Sequence, residues 1–152
     1  IISTMLHLNI KGKNVLDCGC GTGILGIAAL KLGAADVTGY DIDEWSVQNS
    51  THNAELNGVS FKDVHLGDSS VIKTFTERYD IVVANISRNI LLNDMPEFVS
   101  VMKSDAILIL SGFYEEDVPM LIEKASSLGL RKREQKVNER WCCLSFKRAI
   151  RL

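Results

Sequence analysis

Short apolar runs alternate along this chain with longer segments whose apolar positions are spaced for a helix. NVLDC (14–18) is a compact apolar run ahead of glycines and predicts a buried strand. GILGIAALKLG (23–33) is rich in Ala and Leu and stops at Gly33, a natural helix C-cap. DVTGYDI (36–42) predicts a second strand. DEWSVQNSTHNAELNG (43–58) opens with acids, which suit a helix N-terminus, and its sparse apolar positions predict a largely exposed helix. VSFKDVHLGD (59–68) and YDIVVANI (79–86) follow as third and fourth strands, the latter the most apolar. RNILLNDMPEFVSVMK (88–103) reads as a helix that Pro96 bends or restarts. AILILSGF (106–113) is a fifth buried strand, and EEDVPMLIEKASSLG (115–129) a helix that tolerates Pro119 only near its first turn.

The tail breaks the alternation. LRKREQKVNE (130–139) and RWCCLSFKRA (140–149) have no helix between them, so they pair antiparallel. Five β-α repeats then predict an α/β fold, a parallel sheet with helices on both faces and a C-terminal hairpin as its antiparallel edge. The 152 residues suit one domain, 1–152. Residue 1 is not Met and IISTMLHL begins like a helix already under way, so a piece of a longer protein is expected. The opening segment lacks the basic start and small-residue cleavage site of a signal peptide. No apolar run approaches the ~20 residues of a spanning helix. A net charge of −2 gives no overall field toward nucleic acid or an anionic membrane.

Four cysteines change the picture little. Cys18 and Cys20 lie in the glycine turn, and Cys142 and Cys143 are adjacent near the end. Two such pairs suggest zinc, but C-x-C and C-C depart from the usual ligand spacing. Free thiols in a reducing cytoplasm are the preferred reading, with no metal. His7, His52 and His65 are scattered without a nucleophile partner and read as surface residues. Trp45 reads equally as a cover for a ligand or as packing for its own helix. The basic residues of the tail, from Arg131 to Arg151, read as protection of an exposed strand edge rather than an RNA contact.

The chemistry lies in the turn after the first strand. A strand, a glycine turn and a helix aim backbone N–H groups at a ligand on the C-terminal edge of the sheet. Gly21, Gly23 and Gly26 satisfy G-x-G-x-x-G, and Asp41 lies twenty residues past Gly21. That is the dinucleotide fingerprint, so a nicotinamide-dependent oxidoreductase is one reading and a plain tight turn another. Charge favours a third. With Asp17 at the mouth of the loop, a pyrophosphate ~4 Å away meets a repulsion of about 4 kcal/mol per charge pair at an effective dielectric of 20. S-adenosylmethionine carries no phosphate and is net positive. Asp17 then faces its ammonium side, Asp41 accepts from both ribose hydroxyls, and Asp68 accepts from the adenine amino group. Against these stand helix capping for Asp41 and a turn or N-cap role for Asp68.

VLDCGCGTGILGIAALKLGA, VTGYDID, NAELNGV, YDIVVANI and ILSGF together resemble the PrmA-type ribosomal-protein methyltransferases, which methylate large-subunit ribosomal protein eleven. The resemblance covers nearly the whole chain. Its glycine motif is generic to class I methyltransferases; ANI after the fourth strand, LSGF after the fifth and a Trp in the last strand are more specific. It implies a Rossmann-like class I methyltransferase fold, S-adenosylmethionine as cofactor and S-adenosylhomocysteine as product. It implies cofactor-binding positions at Asp17, Gly19, Gly21, Gly23, Asp41, Ile42, Asp68, Ser69 and Asn85. A ribosomal protein is the implied partner, with no membrane and no direct nucleic-acid contact. The N-terminal substrate-recognition domain of the family, and a His- and Thr-containing stretch that closes over its cofactor, are expected to lie outside this chain.

The implied reaction is in-line attack of a neutral amine on a methyl carbon. An apolar cleft favours the free base, because desolvation lowers an ammonium's pKa. Asn85 is the expected catalytic residue, its side-chain and backbone carbonyls accepting the amine N–H groups; a strand-ending turn residue is the plainer reading. Related amide and base methyltransferases follow this position with Pro-Pro-aromatic. Ile86, Ser87 and Arg88 stand here instead, which argues for an aliphatic amine. A class I methyltransferase acting on a small molecule or RNA stays open as an alternative.

Overall fold

The computed structural model describes residues 1–149. Its elements, in chain order, are α1 (Ile2–Leu6), β1 (Asn14–Cys18), α2 (Ile24–Lys31), β2 (Asp36–Asp41), α3 (Glu44–Leu56) and β3 (Asp63–Leu66). A 3₁₀ helix (Ser69–Thr74) leads to β4 (Tyr79–Asn85), α4 (Arg88–Ser100) and β5 (Met102–Tyr114). A short 3₁₀ turn (Glu115–Asp117), α5 (Val118–Ser127), β6 (Leu130–Asn138) and β7 (Trp141–Arg148) complete the described chain.

The strands form one sheet in the order β3-β2-β1-β4-β5-β7-β6. β1 to β5 pair in parallel, and β7 runs antiparallel to both β5 and β6. The expected α/β fold with its C-terminal antiparallel hairpin is therefore present, and the structure adds the order of the two tail strands. The chain runs to the edge first as β6 and returns as β7 between β6 and β5. The inner strand is the apolar one: Cys142, Leu144 and Phe146 are buried, whereas β6 is mostly charged and exposed.

Side chains on the central strands alternate between two cores, as period-2 geometry requires. Leu16, Val82, Leu108 and Leu144 face α4 and α5, packing on Leu91, Met95, Phe98 and Leu121. Val15, Val37, Ile81, Val83 and Ile109 face the other side, with Met5 of α1 and Ala29 of α2. α3 buries only Ser50 and Ala54, as its sparse apolar pattern predicts.

β3, β5 and α4 differ most from the sequence reading. β3 holds four residues rather than ten, because Val59 still caps α3 through Ala54 and Lys62 bonds singly to Val37. β5 begins at Met102, where it pairs with Tyr79, so α4 stops short of the predicted boundary. α4 neither restarts nor breaks at Pro96, since Met95 and Phe98 on either side are fully buried and hold it. Pro119 sits in the first turn of α5, where its missing N–H costs nothing.

Arg148 donates to Val99 O, Met102 O and Lys103 O, closing the C-terminus of α4. Arg140 pairs with Glu116, Lys136 with Glu134, and Arg133 donates to Ser145. Arg151 lies outside the described residues. Among the described residues no helix is long and apolar enough to cross a membrane. All four cysteines are free. Burial pushes the Cys20 thiol up to about 11 and Cys18 well above its ordinary value, so both stay protonated.

Candidate active site at the strand ends

β1, β2, β3 and β4 deliver their C-terminal ends to one edge of the sheet, which is where Asp41, Asp68 and Asn85 lie. The turn after β1 holds Gly19, Gly21 and Gly23 at φ of +66°, +55° and +85°. Only glycine adopts this run without strain, and it turns the chain from strand to helix within a few residues. A Cβ at Gly21 would meet nothing within 4 Å, so that side of the loop opens to solvent. A Cβ at Gly26 would lie 2.3 Å from the Phe61 ring, so this glycine lets α2 pack closely.

The loop is pinned from α3. Ser50 donates its hydroxyl to Gly21 O at 2.7 Å, and Asn53 donates its amide to Thr22 O at 2.9 Å. Neither residue was expected from the sequence. The only local sign was a polar pair spaced i, i+3 on a helix otherwise poor in apolar residues.

Asp17 does not sit at the mouth of the loop. It is 1% exposed and lies beneath it, accepting from the Gly26 amide at 3.2 Å. Burial and, to a lesser degree, the Asp41 charge together raise its pKa to about 7, against the lowering effect of that hydrogen bond. A carboxyl half protonated near neutral pH cannot supply the full repulsion expected of it.

Asp41 takes that place. One of its oxygens accepts from Gly21 N and the other from Asp43 N, each at 2.9 Å. It is not the cap of α3: Asp43 is, accepting from Trp45 N at 3.0 Å. Ile42 stands beside it, 74% exposed, and Trp45 is exposed as well. Asp68 caps the 3₁₀ helix through Ser70 N at 2.9 Å, so its N-cap reading holds. Hydrogen bonds from Ser70 hold its carboxylate below the usual range. Gly67 N donates to Asp41 O at 2.8 Å and ties the Asp68 turn to the end of β2. The Ser69 hydroxyl is engaged by Asp94 at 3.0 Å, which leaves its backbone for any ligand.

Asn85 ends β4 opposite Ser111 of β5, and the Ser111 hydroxyl donates to its side-chain oxygen at 3.0 Å. That oxygen therefore keeps one lone pair for a further donor. Beside it, Gly112 sits in a bulge at φ +97°, where a Cβ would lie 2.6 Å from Ile86 O. The bulge in β5 and the backbone just after β4 approach too closely for any other residue. Arg88 pairs with Asp117 at 2.9 Å, and Asp117 accepts from Tyr114 N, latching the same two segments.

A cleft of about 990 Å³ opens next to Asn85, walled by Ile86, Ser111, Gly112, Val137 and Trp141. Of the expected site residues it touches Asn85 alone. The glycine loop with Asp41 lies over β1 and β2, and the cleft over β5 and β7, so Asn85 stands between two sub-sites. The Trp141 ring stacks on Tyr114 with centroids 4.3 Å apart.

An open parallel sheet with a glycine turn after β1 and an antiparallel β7 inserted beside β5 is the Rossmann-like class I methyltransferase fold. The magnesium protoporphyrin IX methyltransferase of Synechocystis PCC 6803 shares it, with a TM-score of 0.75 at 18% identity over 97% of this chain and 80% of that one. Residues 2–149 match the family described as ribosomal protein L11 methyltransferase (PrmA), and the chain belongs to that family. The ribosomal protein L11 methyltransferase of Porphyromonas gingivalis is 45% identical over 96% of this chain and 50% of its own length. The crystal structure of a ribosomal protein L11 methylase from Lactobacillus delbrueckii subsp. bulgaricus gives a TM-score of 0.86 at 32% identity, covering 98% of this chain and 75% of that one. The chain spans about half the length of the curated relatives it matches.

Proposed function

We propose that the protein is an S-adenosylmethionine-dependent N-methyltransferase acting on amines of a ribosomal protein in the cytoplasm, and that residues 1–152 form its methyltransferase domain. The observation that carries this reading is the Asp41 carboxylate seated on the Gly21 amide. A pyrophosphate needs that N–H and would have to displace a carboxylate to reach it. A cationic nucleoside without phosphate leaves it in place. A carboxylate accepts about four hydrogen bonds, so Asp41 keeps capacity for two ribose hydroxyls. Gly21 offers an open face, Ile42 an apolar flank for a base, and Asp68 an exposed carboxylate for an adenine amino group. Gly19 and Gly23 shape the loop and Asp17 supports it from below.

When bound, S-adenosylmethionine supplies an electrophilic methyl group and leaves as S-adenosylhomocysteine. The chain's own work is positioning, which contributes ~7–11 kcal/mol to reactions of this kind. Asn85, fixed by Ser111, accepts N–H bonds from the amine and aims its lone pair. Ile86, Val137 and Trp141 make one side of the cleft apolar, which disfavours the protonated amine. The ribosomal substrate is supported by relatives named as ribosomal protein L11 methyltransferases.

Calorimetry of the purified protein is expected to show binding of S-adenosylhomocysteine and none of reduced nicotinamide dinucleotide; the reverse result removes the proposal. Asn85→Ala is expected to keep cofactor affinity and to lower methyl transfer by roughly 100-fold. Ribosomal protein L11 from cells lacking the gene should lose methyl groups by mass spectrometry, and an unchanged mass would discard the substrate.

A further inference from the structure

We propose that Asp94 is a positioning residue for recognition of the adenine amino group; this rests on the cofactor reading above. Asp94 lies in the middle of α4, 8% exposed, with the fully buried Leu91 and Met95 as helix neighbours. Burying a carboxylate among apolar groups is unfavourable unless hydrogen bonds compensate it. Its Oδ1 accepts from the Ser69 hydroxyl at 3.0 Å and from the Asn93 amide at 2.9 Å. The Ser69 bond reaches across from α4 to the turn that carries Asp68.

Ile72 anchors the far part of that turn in the core with Leu91 and Met95, but the end that carries Asp68 and Ser69 depends on polar ties. The 3₁₀ helix is six residues long, and such helices are weak on their own. The Lys73–Glu97 pair, at 3.6 Å with Lys73 exposed, adds little. On the β2 side Gly67 N donates to Asp41 O, just past the last β2–β3 pair. On the α4 side Asp94 adds a polar tie to the Ile72 packing, and it acts on the residue next to Asp68. Because α4 begins three residues after Asn85, one rigid helix then sets both the base-reading turn and the transfer residue.

The test uses two ligands that differ at one group: S-adenosylhomocysteine and S-inosylhomocysteine, in which a carbonyl replaces the purine amino group. The purified wild-type protein should prefer the adenosyl ligand by roughly tenfold or more, as expected for a hydrogen bond to a charged acceptor. Asp94→Ala should bring that preference close to one while changing inosyl affinity little. Ser69→Ala cuts the same bond from the other side and should do likewise without touching the core. Asp94→Asn keeps an acceptor for Ser69 and should retain the preference. Equal loss for both ligands in the alanine variants, or a preference that survives in them, overturns the role of Asp94. A wild type that binds both ligands equally overturns it too. A wild type that binds neither defeats the cofactor reading itself.

Discussion

Asp17 shows how one residue's position follows from the pleat rather than from the loop. Leu16 and Cys18 face the α4 and α5 core, and Val15 faces the α2 core. Alternation therefore sends Asp17 to the α2 side, where it meets the Gly26 amide. Between its ordinary pKa of 3.8 and about 7, the folded state holds a proton there that the unfolded chain has released. Stability from this group is thus full below pH ~4, falls as pH rises through about 7, and then levels, a span on the order of 4 kcal/mol. Asp17→Asn keeps an acceptor for Gly26 and is expected to flatten the slope of urea stability between pH 5 and 7. An unchanged slope would mean that Asp17 is ionised throughout. Asp41 could be picked from the sequence as a strand-end acid. That it caps the loop amide depends on β2 lying beside β1, which no local pattern reports.

At the scale of elements, the bulge in β5 decides where Asn85 stands. Gly112→Ala forces a Cβ against the Ile86 backbone at a positive φ, with a cost of roughly 1–3 kcal/mol. If the strain relaxes by moving Ile86, the adjacent Asn85 moves with it. The expected result is about a 100-fold fall in kcat with cofactor affinity retained, since sub-ångström placement governs such transfers. Cofactor affinity lost in step with kcat would show that the bulge supports the glycine loop instead. LSGF was legible as a motif, but the bulge within it was not, because a bulge is defined by the partner strand. Ser50 and Asn53 were illegible for the same reason: their acceptors lie 29 and 31 residues away.

For the molecule as a whole, the order of the last two strands separates a buried strand from an exposed edge. Leu144→Ala on β7 is expected to cost about 2–5 kcal/mol, as a cavity in the core facing α4 and α5 would. Lys132→Ala on β6 should fall within about 0.5 kcal/mol, both read from urea midpoints. Similar losses at the two sites would contradict the order β5-β7-β6. The sequence by itself determined the alternation of strands and helices, the glycine turn after the first strand and the presence of acids and Asn85 at strand ends. Those features rest on periodicity and turn chemistry, which act over a few residues. Only the tertiary structure decided that Asp17 points under the loop, that Asp41 caps Gly21, that Ser111 holds Asn85 and that β7 lies inside β6. Each of these joins residues far apart in the chain, and their meeting depends on which strands become neighbours.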